Sequence, residues 1–161
     1  MIKVIIIGKN GQLANELAVQ VPDNVEILLL GRNDIDISNY AEVSKIVTEF
    51  KPTVIINAAA YTAVDKAETE HESAYLINKS AVEVLATVAK ESGSRFLHVS
   101  TDFVFDGNSN TSYTVTDEPN PTGIYGESKL AGEAAVQQIY PDNSAIVRTS
   151  WVYSTFGNNF V

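Results

Sequence analysis

The sequence predicts an α/β fold in which a doubly wound parallel sheet carries helices on both faces. Short aliphatic runs alternate with longer helix-like stretches along the 161 residues. The aliphatic runs are continuous, as in strands that are buried on both faces of a parallel sheet. The first run leads directly into a turn that contains two glycines and then into a helix pattern. Strand and helix patterns that repeat in this order are typical of doubly wound sheets.

The individual elements follow from this alternation. Strands are predicted at Val4–Ile7, Val25–Leu30, Thr53–Ile56, Arg95–Val99 and Ala145–Val147. Helices are predicted at Gln12–Val21, Tyr40–Phe50, Asp65–Ser92 and Thr122–Ile139. Ser38 or Asn39 is expected to cap the start of the second helix, and Gly93 the end of the third.

Composition and charge exclude several classes of partner. Eleven basic against 20 acidic residues give a net charge of −9, which repels nucleic acid and anionic membrane surfaces. The absence of cysteine excludes disulfides and thiolate chemistry. His71 and His98 are far apart and do not belong to a metal-binding sequence pattern, so no metal site is expected. No apolar run is long enough for a membrane span or a signal peptide, and the expected location is cytoplasmic.

Two segments depart from the strand–helix rhythm. Residues Asp106–Pro121 form a long polar stretch between the fourth strand and the fourth helix. In an open α/β sheet this stretch lies at the carboxyl edge, where ligands bind, so a substrate-facing loop is favoured over a simple connector. The last residues, TSWVYSTFGNNFV, do not have the composition of a frayed tail, and further structure is expected to follow them.

The turn after the first strand has the features of a pyrophosphate site. Gly8 permits a tight turn, Gly11 lets the backbone approach a ligand, and Ala14 is small enough for the helix to pack against the strand. The spacing G-x-x-G-x-x-A differs from the G-x-G-x-x-G fingerprint, and either pattern alone is weak. A plain strand–helix turn is the alternative.

The ends of the second and third strands offer adenosine contacts. Gly31 stands where an acidic residue would hold the ribose of NAD, and Arg32 could meet a 2′-phosphate, which favours NADPH. An arginine at this position can equally be a solvated surface residue. Asp36 and Ile37 could frame the adenine, or Asp36 could cap a turn. Three alanines within the segment 57–62 leave room for a flat ligand, although close packing would need them too.

Tyr125 and Lys129 provide the strongest chemical pattern. They are four residues apart on a predicted helix and therefore share a face. A cation near the phenol is expected to lower its pKa toward 7, which suits it for acid–base work. Ser100, Thr101 and Asp102 follow the fourth strand, and a hydroxyl there could bond the carbonyl that Tyr125 protonates. Turn capping is the alternative for Thr101 and Asp102.

Five segments resemble the successive motifs of one known family. The segments GKNGQLA, INAAAYTAVDKAE, HVSTDFVFDG, YGESKLAGE and RTSWVY are similar, in this order, to those of the dTDP-4-dehydrorhamnose reductases, which are extended short-chain dehydrogenases/reductases. The resemblance covers essentially the whole chain. It implies a Rossmann-type fold and reduction of the 4-keto group of dTDP-4-dehydro-6-deoxy-L-mannose to dTDP-L-rhamnose, with NADPH or NADH.

The resemblance also implies a role for particular residues. Tyr125 becomes the acid, Lys129 its activator and ribose holder, and Thr101 the hydrogen-bond partner of the carbonyl. Asp102 and Trp151 become substrate contacts. Cofactor contacts are expected from Gly11, Gln12, Leu13, Asp36, Ile37, Ala60, Tyr61, Thr62 and Val99, beside the glycine-turn residue Gly8 and the cation Arg32.

Asn78 resembles the asparagine that organises a helix and a proton-relay water in such enzymes. The chain departs from the family pattern at Ala14, which replaces a glycine, and at Phe103, where a tyrosine is common. The family's second domain, with much of the sugar-nucleotide pocket and the dimer contacts, would follow Val161. Residues 1–161 are therefore expected to form the NAD(P)-binding domain, and the resemblance implies contacts through which the full-length protein could form a homodimer.

Two other functions keep the same fold. A sugar-nucleotide epimerase or dehydratase would retain Tyr125 and Lys129 but would hold NAD⁺ tightly. A non-catalytic regulatory subunit would keep a nucleotide pocket without turnover, and the intact set of Thr101, Tyr125 and Lys129 argues against it.

Overall fold

A computed structural model of the chain describes residues 1–157 and 159, and its centre is a parallel sheet of five strands. The strands lie in the order β2-β1-β3-β4-β5. Their bounds are β1 Ile2–Ile7, β2 Val25–Leu30, β3 Val54–Asn57, β4 Arg95–Thr101 and β5 Ser144–Thr149. The chain winds outward from β1 in both directions, which confirms the predicted doubly wound parallel sheet.

Helices connect successive strands. They are α1 Gln12–Val19, α2 Tyr40–Phe50, α3 Val64–Ala67, α4 His71–Tyr75, α5 Ala81–Ser92 and α6 Ile124–Ile139. Short 3₁₀ turns cover Asp102–Val104 and Pro141–Asn143. The expected caps are present for two helices: the Asn39 side chain accepts from two amides at the start of α2, and Gly93 ends α5 with a φ of 71°.

The two faces of the sheet are covered unequally. Ile5, Ile7 and Ile55 point into the larger core, which α2, α5 and α6 complete with buried residues such as Val43 and Leu85. On the opposite face, the alternate residues of β1 pack against α1 through the fully buried Ala14. Helices therefore lie on both faces, and the small Ala14 brings α1 close to β1, as expected from the motif.

The third predicted helix, 65–92, is interrupted, and its prediction as one element was wrong. The α3 helix ends at Ala67, where the hydroxyl and the amide of Thr69 both bond the carbonyl of Lys66. A continuous helical segment then runs from α4 to α5, but Leu76–Ser80 form a π-helical turn. This wider turn shifts Asn78 relative to a regular helix, and periodicity in the sequence gives no sign of it.

The fifth strand is less buried than predicted. It lies at the edge of the sheet, and Ala145 and Val147 are exposed on the face opposite α6. An aliphatic run thus indicated a strand correctly but gave the wrong burial, because edge position depends on the order of strands and not on local sequence.

Within residues 1–157 and 159, no helix has the length and apolar character that a membrane span requires. In the same part of the chain, no three or more residues among His, Asp and Glu are grouped so that they could hold a metal ion.

Candidate active site

A cavity of about 430 Å³ opens at the carboxyl edge of the sheet. Carboxyl ends of parallel strands meet at one edge, and ligands of such sheets bind there, near the point where the winding direction reverses. This point lies between β1 and β3. The cavity is lined by Asn10, Gly11, Gln12, Leu13, Ala58, Ala60, Thr62, Val99, Ser100, Thr101, Asp102, Phe103, Tyr125, Lys129, Thr149, Ser150, Trp151, Val152 and Gly157.

The turn between β1 and α1 forms one end of this cavity. Gly8 has a φ of +111°, and a Cβ on it would lie 2.8 Å from the backbone carbon of Ala58, so only glycine fits there. The amide of Gly11 donates to the carbonyl of Gly8 over 2.7 Å, and the Asn15 side chain donates to the carbonyls of Lys9 and Gly11. The result is a fixed turn whose two glycines add no side chain beside the first amides of α1, which suits a pyrophosphate.

The other end of the cavity brings together Thr101, Tyr125 and Lys129. Thr101 is the last residue of β4, and its hydroxyl interacts with the Tyr125 phenol and accepts the amide of Phe103 over 3.2 Å. The Phe103 ring meets the Tyr125 ring edge-on, with centroids 5.4 Å apart. The convergence that the motif spacing predicted is thus present in the folded chain.

Two glycines allow α6 to lie close to the 3₁₀ turn after β4 and to the π-helical turn. A Cβ on Gly126 would overlap the carbonyl oxygen of Phe103, and a Cβ on Gly132 would overlap that of Asn78. Both obstacles are backbone atoms, which cannot move aside as a flexible side chain would. Gly126 and Gly132 therefore determine where α6 lies, and with it the positions of Tyr125 and Lys129.

Lys129 is almost completely buried, with 1% of its surface exposed. Its ammonium donates to the carbonyl of Val99 over 2.7 Å. Burial lowers the pKa of Lys129 from 10.5 to about 8, although the charge of Glu133 acts in the opposite direction. Glu133 is itself held by a bidentate pair with Arg148, whose guanidinium stacks over Phe105.

The pKa of Tyr125 is raised, so the expected lowering toward 7 was wrong. Burial raises this pKa most, the Thr101 hydroxyl counters it, and the charge of Asp102 raises it further. The Lys129 ammonium instead donates to the carbonyl of Val99. Spacing along the helix predicted the shared face correctly, but the direction of a long side chain depends on the partners that packing provides.

Asn78 links the helix α6 to the segment after β3. Its side-chain oxygen accepts the amide of Tyr61 over 2.9 Å, and its side-chain nitrogen donates to the carbonyl of Tyr61 and to the hydroxyl of Ser128. Ser128 in turn donates to the carbonyl of Tyr125 over 2.8 Å. The expected organising role of Asn78 corresponds to these contacts, whereas a relay through water stays a prediction.

The predicted site residues divide into two groups. The first group lines the cavity and consists of Gly11, Gln12, Leu13, Ala60, Thr62, Val99, Thr101, Asp102, Tyr125, Lys129 and Trp151. The second group does not line the cavity that residues 1–157 and 159 form. It consists of Gly8, Arg32, Asp36, Ile37 and Tyr61. Trp151 is 77% exposed and has a left-handed φ of 53°.

The second group has other neighbours in this structure. Arg32 is exposed, and Ile37 is buried in the core beneath the sheet edge. The Asp36 carboxylate accepts the amide and hydroxyl of Ser38, which lowers its pKa and gives it the turn role that the sequence left open. The phenol of Tyr61 donates to Glu70 over 2.6 Å, and this bond raises its pKa.

Some lining residues had no role of their own in the sequence-based prediction. Ser100 was noted there only beside Thr101 and Asp102, but its hydroxyl is buried against the cavity and has no hydrogen-bond partner within the described part of the chain. Thr149 and Ser150, at the end of β5, bond the carbonyl of Ser100 and the carboxylate of Asp102. The rule that carboxyl ends of parallel strands share one edge could have identified them. The orphaned Ser100 hydroxyl fits a cavity that receives a polar ligand.

Fold and site together define a doubly wound α/β domain with a tyrosine–lysine pair at the carboxyl edge of its sheet. Residues 2–161 match the family model described as the RmlD substrate binding domain, and the chain belongs to this family.

Two relatives of the chain share the name dTDP-4-dehydrorhamnose reductase. It is 47% identical to a dTDP-4-dehydrorhamnose reductase of Aggregatibacter actinomycetemcomitans, over 100% of this chain and 55% of that protein. It is 44% identical to a dTDP-4-dehydrorhamnose reductase of Sinorhizobium fredii, over 99% of this chain and 53% of that protein. The chain thus spans about half the length of the curated relatives that it matches.

A solved structure extends this similarity to three dimensions. The dTDP-4-dehydrorhamnose reductase of Bacillus anthracis, crystallised in complex with NADP, superposes with a TM-score of 0.96 and 40% identity. The match covers 99% of this chain and 57% of that one.

Proposed function

We propose that this chain provides the NAD(P)-binding and proton-donating part of a dTDP-4-dehydrorhamnose reductase. The reaction is the reduction of the 4-keto group of dTDP-4-dehydro-6-deoxy-L-mannose to the alcohol of dTDP-L-rhamnose, with NADPH or NADH. The observation that carries this proposal is the convergence of Thr101, Tyr125 and Lys129 on the cavity that begins at the Gly8–Gly11 turn. The names of the relatives support the choice of substrate.

The dinucleotide would occupy the end of the cavity that the glycine turn forms. Gly8 and Gly11 leave the backbone open, and the first amides of α1 would hold the pyrophosphate. Leu13, Ala60 and Val99 add an apolar surface for flat rings. When bound, the nicotinamide supplies the hydride that the ketone carbon accepts.

The residues at the other end of the cavity carry out the proton transfer to the ketone oxygen. Thr101 donates a hydrogen bond to the ketone oxygen, and the Tyr125 hydroxyl transfers its proton to the same oxygen as the carbonyl becomes an alcohol. The raised pKa of Tyr125 keeps the phenol protonated until substrate arrives. Lys129 exchanges its bond to Val99 for the phenolate that the transfer leaves behind, and its charge then stabilises that phenolate.

The substrate is held by more than this chain supplies. Asp102 and Trp151 are proposed substrate contacts on the open side of the cavity, and the loop 106–121 adjoins the same edge. In the proposed division of labour, residues 1–161 form the NAD(P)-binding domain, and the part of the relatives without a counterpart here grips the nucleotide end of the sugar. Binding energy remote from the reacting carbon helps to align that carbon.

The test is a scan of sugar nucleotides with the purified full-length gene product. We expect oxidation of NAD(P)H with dTDP-4-dehydro-6-deoxy-L-mannose, and none with dTDP-L-rhamnose, which has no ketone to reduce. The 161-residue chain alone is expected to fold and bind NADPH weakly, without turnover. Tightly retained NAD⁺ together with epimerisation, and no consumption of added NAD(P)H, would replace the proposal with an epimerase. Dinucleotide binding without turnover of any keto-sugar would favour a regulatory subunit.

A further inference from the structure

The turn after β1 is attached directly to the end of β2. The amides of Gly8 and Lys9 both donate to the carbonyl of Leu30, over 2.9 and 3.0 Å. Leu30 is the last residue of β2, so these bonds place Lys9 next to Gly31, the first residue beyond the strand. The proposed pyrophosphate turn and the end of β2 thus form one continuous surface.

Asp34 folds back onto this surface. Its amide bonds the carbonyl of Gly31 over 2.9 Å, and its carboxylate accepts the amide of Gly31 over 2.8 Å. The Lys9 ammonium lies 3.4 Å from the same carboxylate oxygen. The bond from Gly31 lowers the pKa of Asp34, so this group is charged at neutral pH.

The carboxylate of Asp34 lies beside the space that glycine leaves empty at residue 31. A Cβ built on Gly31 would be 3.2 Å from the Cβ of Lys9 and 3.6 Å from the Oδ2 of Asp34. In doubly wound dinucleotide-binding sheets, an acidic side chain near the end of this strand bonds the adenosine ribose of NAD, whereas a cation accommodates the 2′-phosphate of NADP. Gly31 itself cannot supply such a group.

We infer that Asp34 is the carboxylate that faces the adenosine ribose and that it makes the site discriminate against the 2′-phosphate of NADPH. This inference rests on the proposed function. A ribose hydroxyl can donate to Asp34, while a phosphate at the same position meets a like charge. Arg32 attracts the phosphate and Asp34 repels it, so the cation at residue 32 does not decide the preference alone.

Lys9 moderates this discrimination. It neutralises part of the Asp34 charge in the free chain, and it becomes a phosphate partner when NADPH binds. The side chains of Lys9 and Asp34 are 48% and 36% exposed, so solvent and salt screen their interactions. The effect on affinity is therefore moderate and larger at low ionic strength.

The experiment measures equilibrium binding, without turnover, at low salt. NADH and NADPH are titrated against the wild type and Asp34→Asn, with 5′-AMP and 2′,5′-ADP as fragments that differ in the 2′-phosphate. Asp23→Asn is the matched control, because it removes one exposed carboxylate at the opposite end of β2. We expect Asp34→Asn to raise the affinity for NADPH relative to NADH roughly tenfold, with the same trend for the fragments.

Lys9→Met provides a second, independent variant. We expect it to weaken NADPH more than NADH, because only the former loses a phosphate partner. An unchanged NADPH-to-NADH ratio in Asp34→Asn, with both cofactors bound by the wild type and a native circular dichroism spectrum for the variant, overturns the inference alone. Failure of the wild type to bind either cofactor overturns the proposed function as well.

Discussion

At the end of β4, the side chains of Tyr125 and Lys129 are fixed by buried contacts, whereas at the end of β2 the charges of Arg32 and Asp34 lie on the surface. The first region depends on backbone approaches that only glycine permits, and on a lysine that is almost completely buried. The second consists of a short turn and one exposed ion pair. Changes in the first region should therefore alter stability and turnover, while changes in the second should alter cofactor affinity modestly and in a salt-dependent way.

The largest structural effect is expected at Gly132. In Gly132→Ala the new methyl group would overlap the carbonyl of Asn78, and α6 would have to move away from the π-helical turn. We expect a loss of about 3 kcal/mol or more in the free energy of unfolding, measured by urea denaturation. Gln138→Ala, an exposed change on the same helix, is the control and should be nearly neutral. A neutral Gly132→Ala would mean that the approach of α6 is not fixed by backbone contact.

The buried ammonium of Lys129 should reduce stability at neutral pH. Its pKa of about 8 in the folded chain lies below its ordinary value of 10.5, so the unfolded chain binds more protons between these values and stability rises with pH across that window. Lys129→Met removes the free-energy cost of burying this charge, although the Val99 carbonyl loses its hydrogen-bond donor.

We expect the stability difference between Lys129→Met and the wild type to change by roughly 3 kcal/mol in favour of the wild type as pH rises from 8 to 10.5. Thermal melts of both proteins at several pH values measure this difference. A constant difference would mean that Lys129 is not penalised by burial.

The two histidines provide a matched pair for the effect of acid. His98 is fully buried, and burial lowers its pKa from 6.5 to about 3, whereas His71 is exposed. Asn57 accepts the amide of Ala59 with its oxygen, so its nitrogen donates to the Nδ1 of His98, and the imidazole stays neutral. The unfolded chain therefore binds the additional proton as pH falls below 6.5, and stability decreases.

Because of His98, the free energy of unfolding is roughly 2 kcal/mol lower at pH 5 than at pH 7. We expect His98→Asn to lose this part of the pH dependence in denaturation curves, although the variant is less stable at pH 7. His71→Gln should keep the full dependence. Equal pH profiles for the wild type and His98→Asn would contradict the neutral, buried assignment.

The smallest effect is expected at Arg32, on the surface end of the site. Arg32→Ala should weaken NADPH binding a few-fold and leave NADH binding nearly unchanged, because only NADPH has a 2′-phosphate for the guanidinium to attract. Fluorescence titration at two salt concentrations measures both affinities, and the difference should shrink at the higher concentration. Equal losses for the two cofactors would make Arg32 a bystander.

The difference between the ends of β4 and β2 also explains which features of the structure could be predicted from the sequence. The pairing of Tyr125 with Lys129 follows from helical spacing, and the position of Thr101 follows from the end of a strand, so both are local properties. The Lys129–Val99 bond and the close approach at Gly132 depend on packing between distant segments. The local sequence pattern therefore does not predict this bond or this close approach.

At the end of β2, the sequence drew attention to Gly31 and Arg32 because they are adjacent to the strand. Asp34 was not identified, since its proximity to Gly31 arises only when the turn folds back. The exposure of Val147 on β5 was missed for a related reason, because the strand order decides which strands lie at an edge.

The most direct test of the proposed active site compares turnover and cofactor binding in Tyr125→Phe of the full-length gene product. Removing the hydroxyl takes away the proton donor but leaves the ring against Phe103 and the glycine turn untouched. Tyr40→Phe, at the exposed start of α2, is the control. We predict that turnover of the keto-sugar falls about 10²–10⁴-fold in Tyr125→Phe while the Kd for NADPH stays within a few-fold. Near-normal turnover in this variant would contradict the assignment of Tyr125 as the proton donor.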